Sequence, residues 1–203
     1  LSAADQQRLA TQLAGLTGLS AEVWLRAGLK IPTDEFTKRV IAAQGNEAGM
    51  YDSRYALPLA GSAGDPVADD PAMTQYVPGF IAAFHDMLRT DLKVTLSEPY
   101  AAIAFGYAFN WDYTHRGVPD AQTFAADLAT SMRRTPKLRV LVCSGYYDLV
   151  TSPASAEHAI TSGGLPTDRV TYRNYESGHM LYLGGTSGKF ADDVRAFITA
   201  GAK

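Results

Sequence analysis

The chain has 203 residues, enough for one large domain or a domain with a smaller lobe. Hydrophobic residues make up 46% and charged residues 19%, which excludes a disordered or fibrous protein. A net charge of −3 and a pI near 5.8 give no support to nucleic-acid binding, which needs a basic face. The longest apolar stretch, Tyr100 to Phe109, is about half of the roughly twenty residues a membrane helix requires, so a soluble chain is expected.

Cys143 is the single cysteine, which excludes an internal disulfide and a cysteine-rich metal site. It lies in the apolar run Leu138-Arg-Val-Leu-Val-Cys143 and reads as a buried strand residue rather than a reactive thiol. The chain opens at Leu1 without a basic n-region or an apolar h-region. Removal of a preceding segment is the expectation.

Ser2-Ala-Ala-Asp5 is a capping-box-like start, after which Leu9, Leu13 and Leu16 recur at helical spacing before Gly18. Ser20 is placed to cap a short second helix through Trp24 and Leu25, ending near Gly28. Thr33 or Asp34 is placed to cap a third, with Phe36, Val40 and Ile41 on one face and Gly45 past its end. Met50 to Leu59 reads as a weak extended segment, and Ala60 to Pro71 as a Gly/Asp/Pro-rich loop.

A longer helix is predicted over Thr74 to Arg89, with Phe80, Phe84 and Leu88 stacked four apart and Pro78 near its first turn. Leu92 to Pro119 is aromatic and irregular. Asp120 then caps a helix to Arg133 whose buried stripe is Phe124, Leu128 and Met132, and Pro136 ends it.

From Lys137 the pattern changes. Leu138 to Cys143 predicts a strand covered on both faces. Ser152-Pro153 starts a helix that Gly163-Gly164 stops, and Val170 to Tyr175 is the next strand. Thr186 or Ser187 begins a terminal helix with Phe190, Val194, Phe197 and Ile198 on one face. Strand, helix, strand and helix with short links imply parallel neighbours joined by a right-handed crossover.

Chemistry in open α/β sheets gathers at the carboxyl ends of the strands. The first strand ends as Ser144-Gly-Tyr-Tyr-Asp148 and the second as Glu176-Ser-Gly-His179, so both ionisable residues reach the same rim. A carboxylate there fixes the tautomer of the imidazole and stabilises its protonated form, which a general-base histidine needs. The bland readings are a turn aspartate and a structural loop histidine. The order strand, Asp, helix, strand, Gly-His, helix favours the pair, and Ser…Asp…His is the chain order of α/β-hydrolases.

The nucleophile is not in this pattern. No Gly-x-Ser-x-Gly pentapeptide occurs. Ala60-Gly-Ser-Ala-Gly64 is the nearest miss, and no apolar strand precedes Ser62. Ser20 reads as a helix cap, and Gly184 to Lys189 has the wrong spacing for a phosphate loop. His85 and His158 fall in predicted helices and His115 in a loop, so no metal cluster and no cofactor are expected.

Val142-Cys-Ser-Gly-Tyr-Tyr-Asp-Leu149 and Tyr175-Glu-Ser-Gly-His-Met-Leu-Tyr182 closely resemble the Asp and His segments of bacterial serine carboxypeptidase-like peptidases. Leu13-Ala-Gly-Leu-Thr-Gly-Leu-Ser20 and Gly49-Met-Tyr-Asp-Ser-Arg54 are also similar to that family, as is the helix bearing Phe84 and Leu88. The resemblance covers essentially the whole chain.

It implies an α/β fold, the C-terminal part of an α/β-hydrolase. Residues 1–119 would be a mainly helical cap, and residues 120–203 the α/β segment carrying the triad acid and base. The implied reaction removes single residues from peptide C-termini. Asp148 would be the triad acid, His179 the general base, and Met180 would line the pocket for the departing residue. The family's serine elbow, oxyanion-hole segment and carboxylate-binding residues belong to an N-terminal half that this chain does not carry. That half is therefore the expected partner, with self-association if the chain is isolated. The lone cysteine departs from disulfide-rich eukaryotic members and points to a bacterial protein, periplasmic or secreted by resemblance. Two alternatives stay open: a non-catalytic binding domain with the same rim, and an acyltransferase using the same triad.

Overall fold

The computed structural model describes residues 1–59, 67–95, 98, 100 and 124–201. Over these residues the protein is a mixed α/β structure of seven helices and two small two-stranded sheets, one antiparallel and one parallel. Ser62, His115 and Asp120 lie outside the described residues, as does most of the irregular aromatic stretch before Pro119.

Helix α1 spans Ala3–Thr17; the Ser2 hydroxyl oxygen accepts the Asp5 N–H at 3.1 Å, and Gly18 at φ 77° closes the last turn in the left-handed region. Helix α2, Ala21–Arg26, is capped by Ser20, which accepts the Val23 N–H. Trp24 is buried with Ala10 and Leu19, and its indole N–H donates to Thr17 Oγ1 at 3.1 Å. This packing runs through Ala10 and Leu13, so Leu16, which recurs at helical spacing with Leu9 and Leu13, is left 84% exposed.

Helix α3, Thr33–Val40, starts without a side-chain cap, because Pro32 holds the N-cap position in place of Thr33 or Asp34. Asp34 and Glu35 instead favour its first turn through the helix dipole. Strands β1, Asn46–Ala48, and β2, Ala56–Pro58, then pair antiparallel. Met50 to Tyr55, expected to be extended, is the link between them. Asp52 bends it: its Oδ1 accepts the Arg54 N–H at 3.1 Å and its carbonyl the Tyr55 N–H at 3.1 Å.

Helix α4, Pro71–Thr90, begins earlier than Thr74, because Asp70 accepts the N–H groups of Ala72 and Met73 and Pro71 occupies the first turn. Pro78 is thus interior to the helix, not near its start. It is exposed, so the carbonyl it leaves unpaired can be solvated. Phe80 is 45% exposed, whereas Phe84 and Leu88 are half-buried.

Helix α5 is Ala125–Arg134, strand β3 Val140–Gly145, helix α6 Pro153–Ser162, strand β4 Val170–Tyr175 and helix α7 Ser187–Ala200. Strands β3 and β4 are parallel, with Val140 opposite Val170 and Gly145 opposite Tyr175. Helices α5 and α6 cover one face through Ala129, Met132 and Ile160, joined by Leu165 just past α6, packed on Val140, Val142, Val170 and Tyr172. Met132 is fully buried, so its truncation to Ala would cost about 2–5 kcal/mol.

Phe124, expected in that stripe, is 50% exposed, because it precedes the helix. Nor is β3 sealed on both faces: Val140 to Cys143 are only half-buried, and α7 contributes no buried residue. Helix α7 touches the sheet through the Phe190 ring, set edge-on to Tyr175 with centroids 5.8 Å apart.

Candidate active site

Past Gly145 and Tyr175 the two strand ends stay in register. The Tyr146 N–H donates to the Tyr175 carbonyl at 2.9 Å and the Tyr147 N–H to the Ser177 carbonyl at 3.1 Å. Gly145 permits this approach: a Cβ there would lie 2.2 Å from the Gly178 carbonyl oxygen and 2.3 Å from that of Ser177. The two loops are thereby fastened before Asp148 or His179 is reached.

Asp148 is 3% exposed, and its two oxygens divide two tasks. Oδ1 accepts the N–H groups of Val150 at 2.8 Å and Thr151 at 3.0 Å, the role of an ordinary turn aspartate ahead of α6. Oδ2 accepts the Thr151 hydroxyl at 2.6 Å and lies 2.9 Å from His179 Nδ1. The turn role of this residue and its contact with the imidazole therefore coexist.

Burial opposes the charge on Asp148. Hydrogen bonds from His179, Thr151 and the Val150 N–H outweigh it and hold the carboxyl below its usual range. For His179 the hydrogen bond to Asp148 dominates, burial opposes it, and the net effect raises the imidazole above its ordinary value. Both shifts favour the ion pair.

A carboxylate only accepts, so the neutral ring carries its proton on Nδ1 and leaves a lone pair on Nε2. The Thr151 proton goes to Asp148, and its oxygen stands 3.3 Å from Nδ1 as a second acceptor. Among the described residues Nε2 has no hydrogen-bond partner, and the side chain is 38% exposed. The arrangement can take a proton from a hydroxyl and stabilise the cation that results.

Met180 is half-buried and forms a wall shared by two spaces. One is a cavity of about 310 Å³ beside His179, bounded by Asp52, Tyr55, Tyr76 and Leu183. The other is an apolar groove of about 300 Å³ along α4, bounded by Met73, Val77, Phe80, Ile81 and Phe84. Among the described residues no group of three or more His, Cys, Asp or Glu side chains is placed to hold a metal ion.

Sequence reasoning brought Asp148, His179 and Met180 to one place. It missed Thr151, whose spacing of three from Asp148 is a turn signature, and it gave no role to the β1–β2 link. That link lies against both loops: Met50 O accepts the Leu149 N–H at 3.0 Å, and Tyr51 O the His179 N–H at 2.7 Å. Comparison with protein-family models, with curated proteins and with solved structures finds no match to this chain.

Proposed function

We propose that this chain is the C-terminal portion of a serine carboxypeptidase-like hydrolase with an α/β-hydrolase fold. The observation that carries the reading is the 2.9 Å contact between His179 Nδ1 and Asp148 Oδ2 at the carboxyl end of adjacent parallel strands. The motifs around both residues support it through their resemblance to that family.

In this reading an N-terminal half supplies the serine. His179 Nε2 takes the serine proton as Oγ attacks the carbonyl of the last peptide bond. Asp148 stabilises the imidazolium, which then passes the proton to the departing amine. Water deacylates the serine by the same route in reverse. Met180 faces the residue being released. Each described edge of the β3–β4 sheet that lacks a strand is a place for the other half to pair.

Incubation of the complete protein with blocked dipeptides, with and without a serine-directed phosphonylating agent, tests the proposal. Release of the C-terminal residue, abolished by the agent, is the expected result. The absence of a Gly-x-Ser-x-Gly elbow from these residues favours a second reading, a non-catalytic binding domain. Peptide binding without turnover would favour that one, and transfer of the acyl group to an added alcohol in preference to water would favour an acyltransferase.

A further inference from the structure

Asp52 is 1% exposed, although it belongs to a short link between two three-residue strands. A turn aspartate needs no such burial, and a carboxylate withdrawn from water requires a close partner. Arg54 supplies it: Nε donates to Oδ1 at 2.9 Å and Nη2 to Oδ2 at 2.6 Å, a two-point grip. The same guanidinium reaches both loops of the Asp–His pair. Nη1 donates to the Glu176 carbonyl at 3.3 Å, and the carbon of the group lies 4.5 Å over the Tyr147 ring.

The buried carboxylate also lies directly beneath the histidine loop. A Cβ on Gly178 would fall 2.5 Å from Asp52 Cβ and 2.6 Å from Oδ2, so the loop rests on this side chain. One residue further, the His179 N–H is held by the Tyr51 carbonyl, and the rings of Tyr51 and His179 meet edge-on, 5.3 Å between centroids. On the aspartate side, the Ser53 N–H donates to the Tyr147 carbonyl at 2.9 Å. Five residues of one link, Met50 to Arg54, thus hold two loops that the sheet alone would fasten only at their bases.

We propose that Asp52 and Arg54 are positioning residues for the Asp148–His179 pair, fixing the imidazole above the rim of the β3–β4 sheet. Its consequence for catalysis rests on the triad reading. Its structural content does not. Asp52 and Arg54 touch neither ring nitrogen, and they act through the backbone at 176–179. A lysine in place of Arg54 keeps the charge but cannot reproduce two parallel bonds to Asp52 together with a third to Glu176.

The test is proton NMR of the imidazole of His179 in the 203-residue chain, followed against pH, with circular dichroism as the check on folding. The other groups facing this ring, Asp148, Thr151, Tyr51 and, across the cavity, Tyr76 and Asp52, are not substituted in Arg54→Gln and Arg54→Lys. Loss of the Arg54 cation from that cavity would by itself raise the midpoint, opposite to the fall that lost positioning produces. In the parent chain a low-field Nδ1 proton and a raised midpoint are expected. In folded Arg54→Gln the low-field signal should be lost and the midpoint should fall toward that of an ordinary histidine. Arg54→Lys should fall between the two.

A folded Arg54→Gln chain with the parental signal and midpoint overturns the proposal. If Arg54→Gln does not fold, Arg54→Lys decides by the same criteria. If neither folds, the proposal is also overturned, since Arg54 would then govern the whole fold. Failure of the triad reading is seen elsewhere, as a complete protein that keeps the low-field proton and hydrolyses nothing.

Discussion

The backbone N–H of His179 donates to the carbonyl of Tyr51 at 2.7 Å, while its ring reaches Asp148 through Nδ1 at 2.9 Å. The histidine is therefore held twice, by its main chain from the β1–β2 link and by its side chain from the end of β3. Removing either restraint should have a distinguishable effect.

In the complete protein, His179→Ala should reduce kcat/KM on blocked dipeptides by several orders of magnitude, because the members of such a set act together. Asp148→Asn should cost about 10⁴-fold, since an amide at that position fails to enforce the Nδ1–H tautomer. Steady-state kinetics on the purified variants checks both. Loss of less than about tenfold for either would remove the pair from the chemistry.

The pair should also leave a signature in stability against pH. The raised midpoint of His179 makes its contribution fully present below the ordinary 6.5 and lost as pH rises through the folded value. The lowered midpoint of Asp148 makes its contribution present above the ordinary 3.8 and lost as pH falls through the folded value. Urea midpoints of the parent chain and Asp148→Asn should therefore differ most between these two limits. A difference that does not vary from acid to alkaline pH would contradict the linkage.

Gly178→Ala should destabilise the chain by about 1–3 kcal/mol, because the added Cβ meets the Tyr51 carbonyl and Asp52, backbone and buried charge that cannot retreat. Gly185→Ala is the control, with nothing within 4 Å of its Cβ and no positive φ. Equal urea midpoints for the two variants would show that the histidine loop does not rest on the link.

Met180→Ala should change which C-terminal residue is preferred more than it changes the rate on the best substrate, because the side chain lies between the cavity and the apolar groove. Cutting that wall back enlarges the space beside it and favours bulkier leaving residues. A panel of peptides differing only in the last residue measures this. Uniform loss across the panel would place Met180 in the support of His179 instead.

Purified residues 1–203 should neither cleave blocked dipeptides nor run as a 21.8 kDa monomer in light scattering. The Asp–His pair has no elbow serine in this sequence to activate, and the described sheet has two strands with half-buried apolar residues on β3. Serine-inhibitor-sensitive hydrolysis by a monomer would overturn the fragment reading.

Local physics was legible in the sequence wherever a cap, a turn or an apolar run was sufficient to decide. Ser2, Ser20 and Ser152 begin their helices as expected, Val170–Tyr175 is a strand, and Asp148 and His179 share a rim because parallel strands leave no other arrangement. Tertiary contact decided the rest. Leu16 is exposed although its spacing is helical, because α2 packs on Ala10 and Leu13 instead. Pro78 became interior once Asp70 was free to cap α4 and to bind the Met50 N–H across the link. The link itself carries no periodicity, so nothing in its order of residues marks Asp52 as buried. Its burial arises only where Gly178, far along the chain, leaves room for the carboxylate and Arg54 folds back to neutralise it.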